Sequence, residues 1–216
     1  MLAPLTVLIG LSEMGAAEAR GASSLAQAVD VHYNRLKTLR ADFTETYSGA
    51  GIDRTEAGVL WLKKPGKMRW EYRSPKEKLF VSDGQAAWFY VPGDRQVRKT
   101  QVKKLEDLRS PLVFLLGKTR LEKELQGLSL APDLQPKEAG NTVLRGVPKG
   151  LENRISQVLV EINPANQIIR LVVEEVDGSK TEYEFRNIQE DGAVIDGQFR
   201  FTPPPGVETV TGDLGP

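Results

Sequence analysis

The chain has no cysteine among its 216 residues and only one histidine, His32. The absence of cysteine excludes disulfides, thiolate metal sites, cysteine nucleophiles and a lipid anchor on an N-terminal cysteine. A His-rich metal site is excluded as well, and any Ser-His-Asp triad would have to use His32. Because this residue lies on an apolar helical stripe and the chain has no G-x-S-x-G motif, we interpret it as a packed or partly exposed core histidine.

The chain also lacks net charge. Lys+Arg and Asp+Glu each number 29, so no overall field favours nucleic acid as a partner. The charges are distributed unevenly, since basic residues predominate over 63–104 and acidic residues over 151–216. Two interpretations stay open: the charges are solvated strand faces, or they form a dipole that steers an oppositely charged partner.

Long apolar runs are absent too. The uncharged segment 1–12 is too short to span a bilayer. Its apolar part, residues 2–11, is followed by Ala17-Glu18-Ala19, which has the A-x-A form of a signal-peptidase site. We therefore predict a signal peptide over 1–19 and a single domain over 20–216. Hydrophobic residues make up 40% and charged residues 27% of the chain, which is typical of a globular protein.

Two periodicities organise the chain. Ser24 and Gln27 form a capping box that predicts the start of a helix. A stripe that recurs every three or four residues predicts one buried face of that helix: Leu25, Val29, His32, Leu36, Leu39 and Phe43. Elsewhere apolar and polar residues alternate, which predicts strands. The predicted strands span about 42–49, 55–63, 67–73, 78–82, 86–91, 95–101, 128–131, 142–147, 154–162, 167–176, 180–189 and 197–202.

Short helices are predicted between the two runs of strands. Leucines at 105, 108, 112 and 115 predict helices over 103–109 and 111–116, and a capping box at Thr119 predicts a third that Gly127 ends. The fold class is therefore α+β, with an up-and-down antiparallel sheet of about eleven or twelve strands, curled or barrel-like, and helices over one face. Periodicity alone leaves a filled core and a ligand cavity equally open.

Two motifs suggest catalysis only superficially. Gly117-Lys118-Thr119 resembles the end of a P-loop, but the upstream position that needs glycine holds Leu112. Glu182 and Glu184 lie two residues apart, as carboxylates of a glycosidase could. We interpret them instead as the solvated face of a strand, because charged residues continue the same row.

Four segments together resemble a known family. They are 58–70 (GVLWLKKPGKMRW), 81–84 (VSDG), 88–92 (WFYVP) and 199–207 (FRFTPPPGV). In this order they are similar to the LolA family of periplasmic outer-membrane lipoprotein carriers, with a resemblance that runs from about residue 24 to 210. The resemblance implies an incomplete, half-open antiparallel β-barrel with a helical lid over an apolar cavity.

The resemblance also implies a function. A member of the family would carry acylated lipoproteins through the periplasm as a monomer, from an inner-membrane ABC-type release complex to an outer-membrane lipoprotein acceptor. It would have no catalytic activity and no cofactor. A periplasmic lipid-responsive sensor or regulator domain with the same half-barrel fold is the alternative.

The predicted acyl-chain cavity takes the apolar positions of alternating strands and of the helical stripe. Its lining is Phe43, Met68, Trp70, Tyr72, Val81, Trp88, Leu112, Leu115, Tyr183 and Phe185. The inner face of the 78–90 hairpin stays open, because Phe80 and Phe89 compete with Val81 and Trp88 for it.

The family resemblance further implies a latch between the lid and the sheet. Its basic residue would be Lys64, before Pro65, and its partners would lie near Tyr33, Leu115 and Leu116. Lysine stands where the family usually has arginine, and it lacks the planar five-donor fork of a guanidinium.

Overall fold

The computed structural model describes residues 9–102 and 120–212. Helix α1 spans Ile9–Arg35 and the short helix α2 spans Leu121–Glu124. The first six strands are β1 (Thr38–Gly49), β2 (Ile52–Lys63), β3 (Lys67–Ser74), β4 (Lys78–Asp83), β5 (Ala86–Tyr90) and β6 (Gln96–Gln101). The other six are β7 (Leu125–Leu130), β8 (Thr142–Pro148), β9 (Ile155–Ile162), β10 (Ile168–Glu175), β11 (Lys180–Glu190) and β12 (Glu208–Thr211).

All twelve strands belong to one sheet, in the order β12-β6-β5-β4-β3-β2-β1-β11-β10-β9-β8-β7. Two meanders, β1–β6 and β7–β11, meet where β1 pairs with β11. The pairing is antiparallel throughout except between β12 and β6, which are parallel. The predicted antiparallel sheet is confirmed. It is not closed, because its order ends at β12 on one side and β7 on the other.

The C-terminal part differs from the prediction. The strand predicted over 197–202 is wrong: Asp196–Phe199 forms a 3₁₀ helix, and the twelfth strand of the sheet follows only at Glu208–Thr211. Two physical causes stand out. Phe199 is buried, and the segment 203–205 consists of three prolines, which cannot donate hydrogen bonds to a ladder.

Helix boundaries were also predicted incorrectly. Ser24 is not an N-cap, because α1 passes through it from Ile9; the alanine-rich sequence before Ser24 favours helix. The helical stripe does not reach residues 39 and 43, since β1 begins at Thr38. Helix α2 ends at Glu124, before Gly127, and the predicted cap at residue 119 lies outside the described residues.

Helix α1 packs against one face of the sheet. We call this the inner face and define it by Phe43, Leu60, Trp70 and Phe185, which are cross-strand neighbours; the opposite side is the outer face. Helix α1 contributes buried side chains to the same core: Ala22, Ala26, Val29 and Tyr33. The small alanine side chains let the helix approach the strands closely. The core therefore lies between α1 and the inner face.

Candidate functional site

An aromatic cluster occupies the middle of the inner face. The ring centroids of Phe43 and Trp70 are 4.7 Å apart, and those of Phe43 and Tyr72 are 4.9 Å apart, both edge to face. Trp70 also contacts Tyr183 and Phe185 edge to face, at 6.0 and 6.3 Å. Such arrangements add about 0.5–1.5 kcal/mol per pair beyond the burial of area. The cluster is thus a rigid apolar floor contributed by three strands.

Gly58 makes room for this cluster. It pairs with Phe43 across β1 and β2. A Cβ atom at Gly58 would lie 2.9 Å from Phe43 Cε1 and 2.0 Å from the carbonyl oxygen of Glu71. No side chain fits there without a shift of the backbone. The sequence analysis attached no role to Gly58, although an isolated glycine in a strand pattern is a signal of close approach.

Six of the predicted lining residues share the inner face. They are Phe43, Met68, Trp70, Tyr72, Tyr183 and Phe185, and all of them belong to the hydrophobic core or pack against it. The indole N–H of Trp70 also donates to Met68 Sδ. Two further predicted lining residues, Leu112 and Leu115, lie outside the described residues, as does Leu116 of the predicted latch. The acyl-binding role of the six residues stays a prediction.

The assignment of Val81 and Trp88 to the inner face is wrong. Trp70 pairs with Phe80, whereas Val81 pairs with Arg69 and Trp88, so the last three share the outer face. The physical cause is the two-residue period of a strand, in which a shift by one residue moves every side chain to the other face. Phe80 instead packs against the core of the inner face.

On the outer face, Trp88 is already in contact with other parts of the chain. The ring centroid of Phe201 lies 6.4 Å from that of Trp88 and 5.8 Å from that of Tyr90. Lys99 Nζ lies 5.4 Å from the centroid of the Trp88 ring. The segment that follows the 3₁₀ helix therefore packs on this part of the sheet.

At one end the inner face changes from apolar to acidic. The side chains of Glu45 and Glu56 lie opposite each other on β1 and β2, with residue exposures of 8% and 3%. Burial raises the pKa of Glu45, although the hydroxyl of Tyr72 donates to its carboxylate at 2.7 Å and acts in the opposite direction. Lys78 Nζ lies 2.5 Å from the carboxylate of Glu56. The aromatic floor thus ends at a buried polar cluster.

At the other end, the predicted latch residue contacts α1. Lys64 Nζ donates a hydrogen bond to the backbone carbonyl of Tyr33, in the last turn of the helix. Burial lowers the pKa of Lys64, and the charge of Asp191 partly opposes this shift. The Tyr33 hydroxyl accepts a hydrogen bond of 2.9 Å from the backbone N–H of Ile168 in β10. Tyr33 therefore connects both meanders of the sheet.

The neighbouring lysine has a different role. Lys63 Nζ donates to the carbonyl oxygen of Val194 at 2.9 Å and forms an ion pair of 2.6 Å with Asp196. Lys63 and Lys67, through the same carboxylate, lower the pKa of Asp196 to about 2. Lys63 thus holds the C-terminal segment against the outer face, whereas Lys64 holds α1.

His32 is half-buried and makes a specific contact that sequence reasoning missed. Its Nε2 lies 2.9 Å from a carboxylate oxygen of Glu190, the last residue of β11. The two residues are far apart in the sequence, and no local pattern pairs them. No Ser-His-Asp arrangement follows from this contact, because a histidine paired with a carboxylate still needs a nucleophile.

Glu182 and Glu184 lie on the outer face beside a polar cleft of about 290 Å³. Lys137 Nζ contacts both carboxylates, at 2.6 Å from that of Glu182. Burial opposes ionisation of Glu182, but Lys137 and Lys180 outweigh it and lower its pKa. Because Lys137 binds both carboxylates, the pair fits the charged strand face interpreted from the sequence.

Two searches of the described ranges 9–102 and 120–212 were negative. Neither range contains a group of three or more His, Asp or Glu side chains that could hold a metal ion. Neither contains a helix with the length and hydropathy needed to cross a membrane.

Comparisons with known proteins agree with one another. The family model described as "Outer membrane lipoprotein carrier protein LolA" matches residues 34–202. The outer-membrane lipoprotein carrier protein of Edwardsiella ictaluri is 31% identical over 177 residues, which cover 81% of both chains. That of Chromobacterium violaceum is 31% identical over 200 residues, which cover 92% of this chain and 93% of the relative.

Two solved structures share the fold at low identity. An uncharacterized conserved protein from Thermus thermophilus aligns with a TM-score of 0.58 and 12% identity, covering 88% of this chain and 99% of the other. MucB aligns with a TM-score of 0.51 and 15% identity, covering 85% of this chain and 63% of the other. At these identities the likeness concerns the fold alone.

Proposed function

We propose that this chain, which belongs to the LolA family of outer-membrane lipoprotein carrier proteins, holds the acyl chains of lipoproteins against the inner face of its sheet. The sheet would act as a half-open barrel covered by α1 and by the predicted helical lid, whose leucines Leu112 and Leu115 lie outside the described residues. One observation carries this proposal: six side chains chosen from the sequence as acyl-chain contacts share one face of an unclosed sheet.

The energetics favour such a shelter. Each CH₂ group of an acyl chain that leaves a membrane for water costs about 0.8 kcal/mol. A triacylated lipoprotein therefore needs a continuous apolar surface during transfer. The inner face offers aromatic side chains with an adaptable thioether, Met68, beside them, and flexible Met side chains suit ligands of variable shape.

Release requires that the closed, empty state be stabilised as well. We assign this role to the hydrogen bond from Lys64 to the Tyr33 carbonyl, because it joins α1 to the turn between β2 and β3. The carbonyl groups in the last turn of a helix lack intrahelical donors and attract cations. The role consists of binding and release, with no chemical step and no cofactor.

We further propose the cellular route. A signal peptide over residues 1–19 would direct the chain to the periplasm, where it would act as a monomer. It would receive lipoproteins from an inner-membrane ABC-type release complex and deliver them to an outer-membrane lipoprotein acceptor. The uneven charge distribution, basic over 63–104 and acidic over 151–216, is suited to orienting the carrier on charged partners.

The experiment that tests the proposal is capture of cargo from membranes. Tagged protein is incubated with ATP and inner membranes of its source bacterium, recovered, and analysed by mass spectrometry for acylated proteins. Two neighbouring half-buried residues of β4 give a matched pair of variants: Phe80 on the inner face and Leu79 on the outer face.

We expect that Phe80→Glu abolishes capture, because it places a charge on the acyl-chain surface, and that Leu79→Glu retains it. Equal capture by both variants would contradict the assignment of the inner face. A chain that recovers no acylated protein, but whose affinity for a protein partner changes with lipid, would instead support the sensor or regulator alternative.

A further inference from the structure

The last turn of α1 has a second contact with the sheet, adjacent to the Lys64 contact. His32 Nε2 lies 2.9 Å from Glu190 Oε1, and Gln167 Nε2 donates to the same oxygen at 2.8 Å. Both ionisable side chains are 22% exposed. The pair is therefore shielded from solvent but still accessible to protons.

The two contacts hold consecutive residues of α1 and come from the ends of β2 and β11, the two strands that flank β1. Lys64, which follows β2, contacts the backbone of Tyr33, whereas Glu190 at the end of β11 contacts the side chain of His32. The ring of His32 also lies edge to face with that of Tyr33, at 5.4 Å. The two contacts thus act on adjacent residues of the helix whose rings pack against each other.

Several charged groups surround this end of α1. Glu190 faces His32 from β11, and Asp191, the next residue, accepts a hydrogen bond of 2.7 Å from the backbone N–H of Lys37. Asp191 also acts on Lys64 through its charge. Arg35 is the other basic residue in the last turn of the helix. Gln167, from the turn before β10, is uncharged.

Histidine is the side chain whose charge ordinarily changes between about pH 5 and 8. A protonated imidazole at this position gains from two sources, the carboxylate of Glu190 and the negative end of the helix dipole. A neutral imidazole can keep the hydrogen bond but loses both charge interactions. The ordinary titration range of lysine lies far above this interval, so Lys64 and His32 respond differently to pH.

We propose that the His32–Glu190 pair is a second anchoring contact that positions the end of α1 on β11 and that tightens as the pH falls below neutrality. Resting on the proposed function, the same contact favours the closed, empty carrier and so promotes release of acylated cargo at acidic pH. His32 precedes the span matched by the family model, 34–202.

The anchoring contact can be measured without cargo, because the chain has no cysteine and accepts a specific spin-label pair. Val31, 49% exposed on α1, and Gln189, exposed on β11, provide the labelling positions. In pulsed dipolar spectra, molecules whose α1 end has left β11 show a longer distance between the two labels, and we call them the detached population. We expect this population to be about fivefold larger at pH 8 than at pH 5.5. The variant His32→Lys should show a small detached population at both pH values, and His32→Gln a larger one at both.

The proposal would be overturned if the detached population of the wild-type chain were the same at both pH values, or if it still depended on pH in His32→Gln. The cargo arm measures the half-time of lipoprotein transfer from loaded protein to acceptor-containing vesicles at the same two pH values. We expect transfer to be about fivefold faster at pH 5.5 than at pH 8 in the wild type and unaffected by pH in His32→Lys.

The two arms separate the two claims. If the spectra respond to pH as expected but transfer does not, the effect on cargo is wrong. If the chain takes up no lipoprotein at either pH while the spectra respond, the proposed carrier function fails and the anchoring contact is supported.

Discussion

Replacing Lys64 by leucine removes one hydrogen bond and one charge from the end of α1. The bond joins Lys64 Nζ to the carbonyl oxygen of Tyr33, and burial lowers the pKa of the ammonium group. A hydrogen bond to a charged group contributes about 1.5–3 kcal/mol, and partial exposure reduces this to roughly 1–2 kcal/mol. The Tyr33 hydroxyl remains bonded to β10, so we expect the fold to survive.

A loss of 1–2 kcal/mol corresponds to a change of about 5- to 30-fold in the equilibrium between closed and open carrier. Because closure stabilises the empty state, its loss removes part of the free energy that favours release. We therefore expect Lys64→Leu to take up lipoprotein at least as well as the wild type, since leucine adds an apolar contact. Transfer to the acceptor should fail, and Lys64→Arg should close more tightly.

The assay has two steps: release of lipoprotein from membranes, and then transfer to the acceptor, each followed by immunoblotting. Lys76→Leu in the exposed turn after β3 is the matched control and should behave as wild type. Lys63→Leu should loosen the C-terminal segment, because Lys63 pairs with Asp196, and should leave transfer unchanged. Normal transfer by Lys64→Leu, or the same defect in Lys63→Leu, would refute the latch.

Three predictions concern the fold and the inner face. In urea denaturation, Gly58→Ala should lower the free energy of unfolding by about 2 kcal/mol or more, because the added Cβ would overlap the backbone of Glu71. Gly192→Ala is the control and should change this free energy little, because a Cβ there would meet no atom within 4 Å. Trp70→Ala should cost about 3–5 kcal/mol in the same measurement, since this side chain is almost fully buried. The raised pKa of Glu45 gives a contribution to stability that is present below its ordinary value of 4.5 and lost as the pH rises through the folded-state pKa. Glu45→Gln should therefore lose less stability than the wild type as the pH rises above 4.5, and parallel pH curves for the two proteins would count against this.

Alternation predicted the sheet well where one face is polar and the other apolar. In β3, Met68 and Trp70 alternate with Arg69 and Glu71, so the inner side of the strand is unambiguous. Alternation failed where apolar residues occur in succession. In β4, Phe80 and Val81 are adjacent, and only the pairing with β3 fixes which of the two faces α1.

Other features depend on contacts between distant parts of the chain. Ser24 has the local signature of an N-cap, but the preceding residues are also helical, so its side chain is not needed to begin the helix. The contact between His32 and Glu190 joins residues on α1 and β11, and no pattern within either segment indicates it. The position of Lys64 next to α1 came from the family resemblance rather than from periodicity.

The central claim is that acyl chains bind the inner face, and site-specific photo-crosslinking tests it most directly. A benzophenone amino acid replaces Tyr72, whose shape it approximates, on the inner face, or the adjacent exposed Arg73 as the control. After illumination of carrier loaded from membranes, we predict lipoprotein adducts from position 72 and none from position 73. Equal adducts from both positions, or adducts from position 73 alone, would contradict the account.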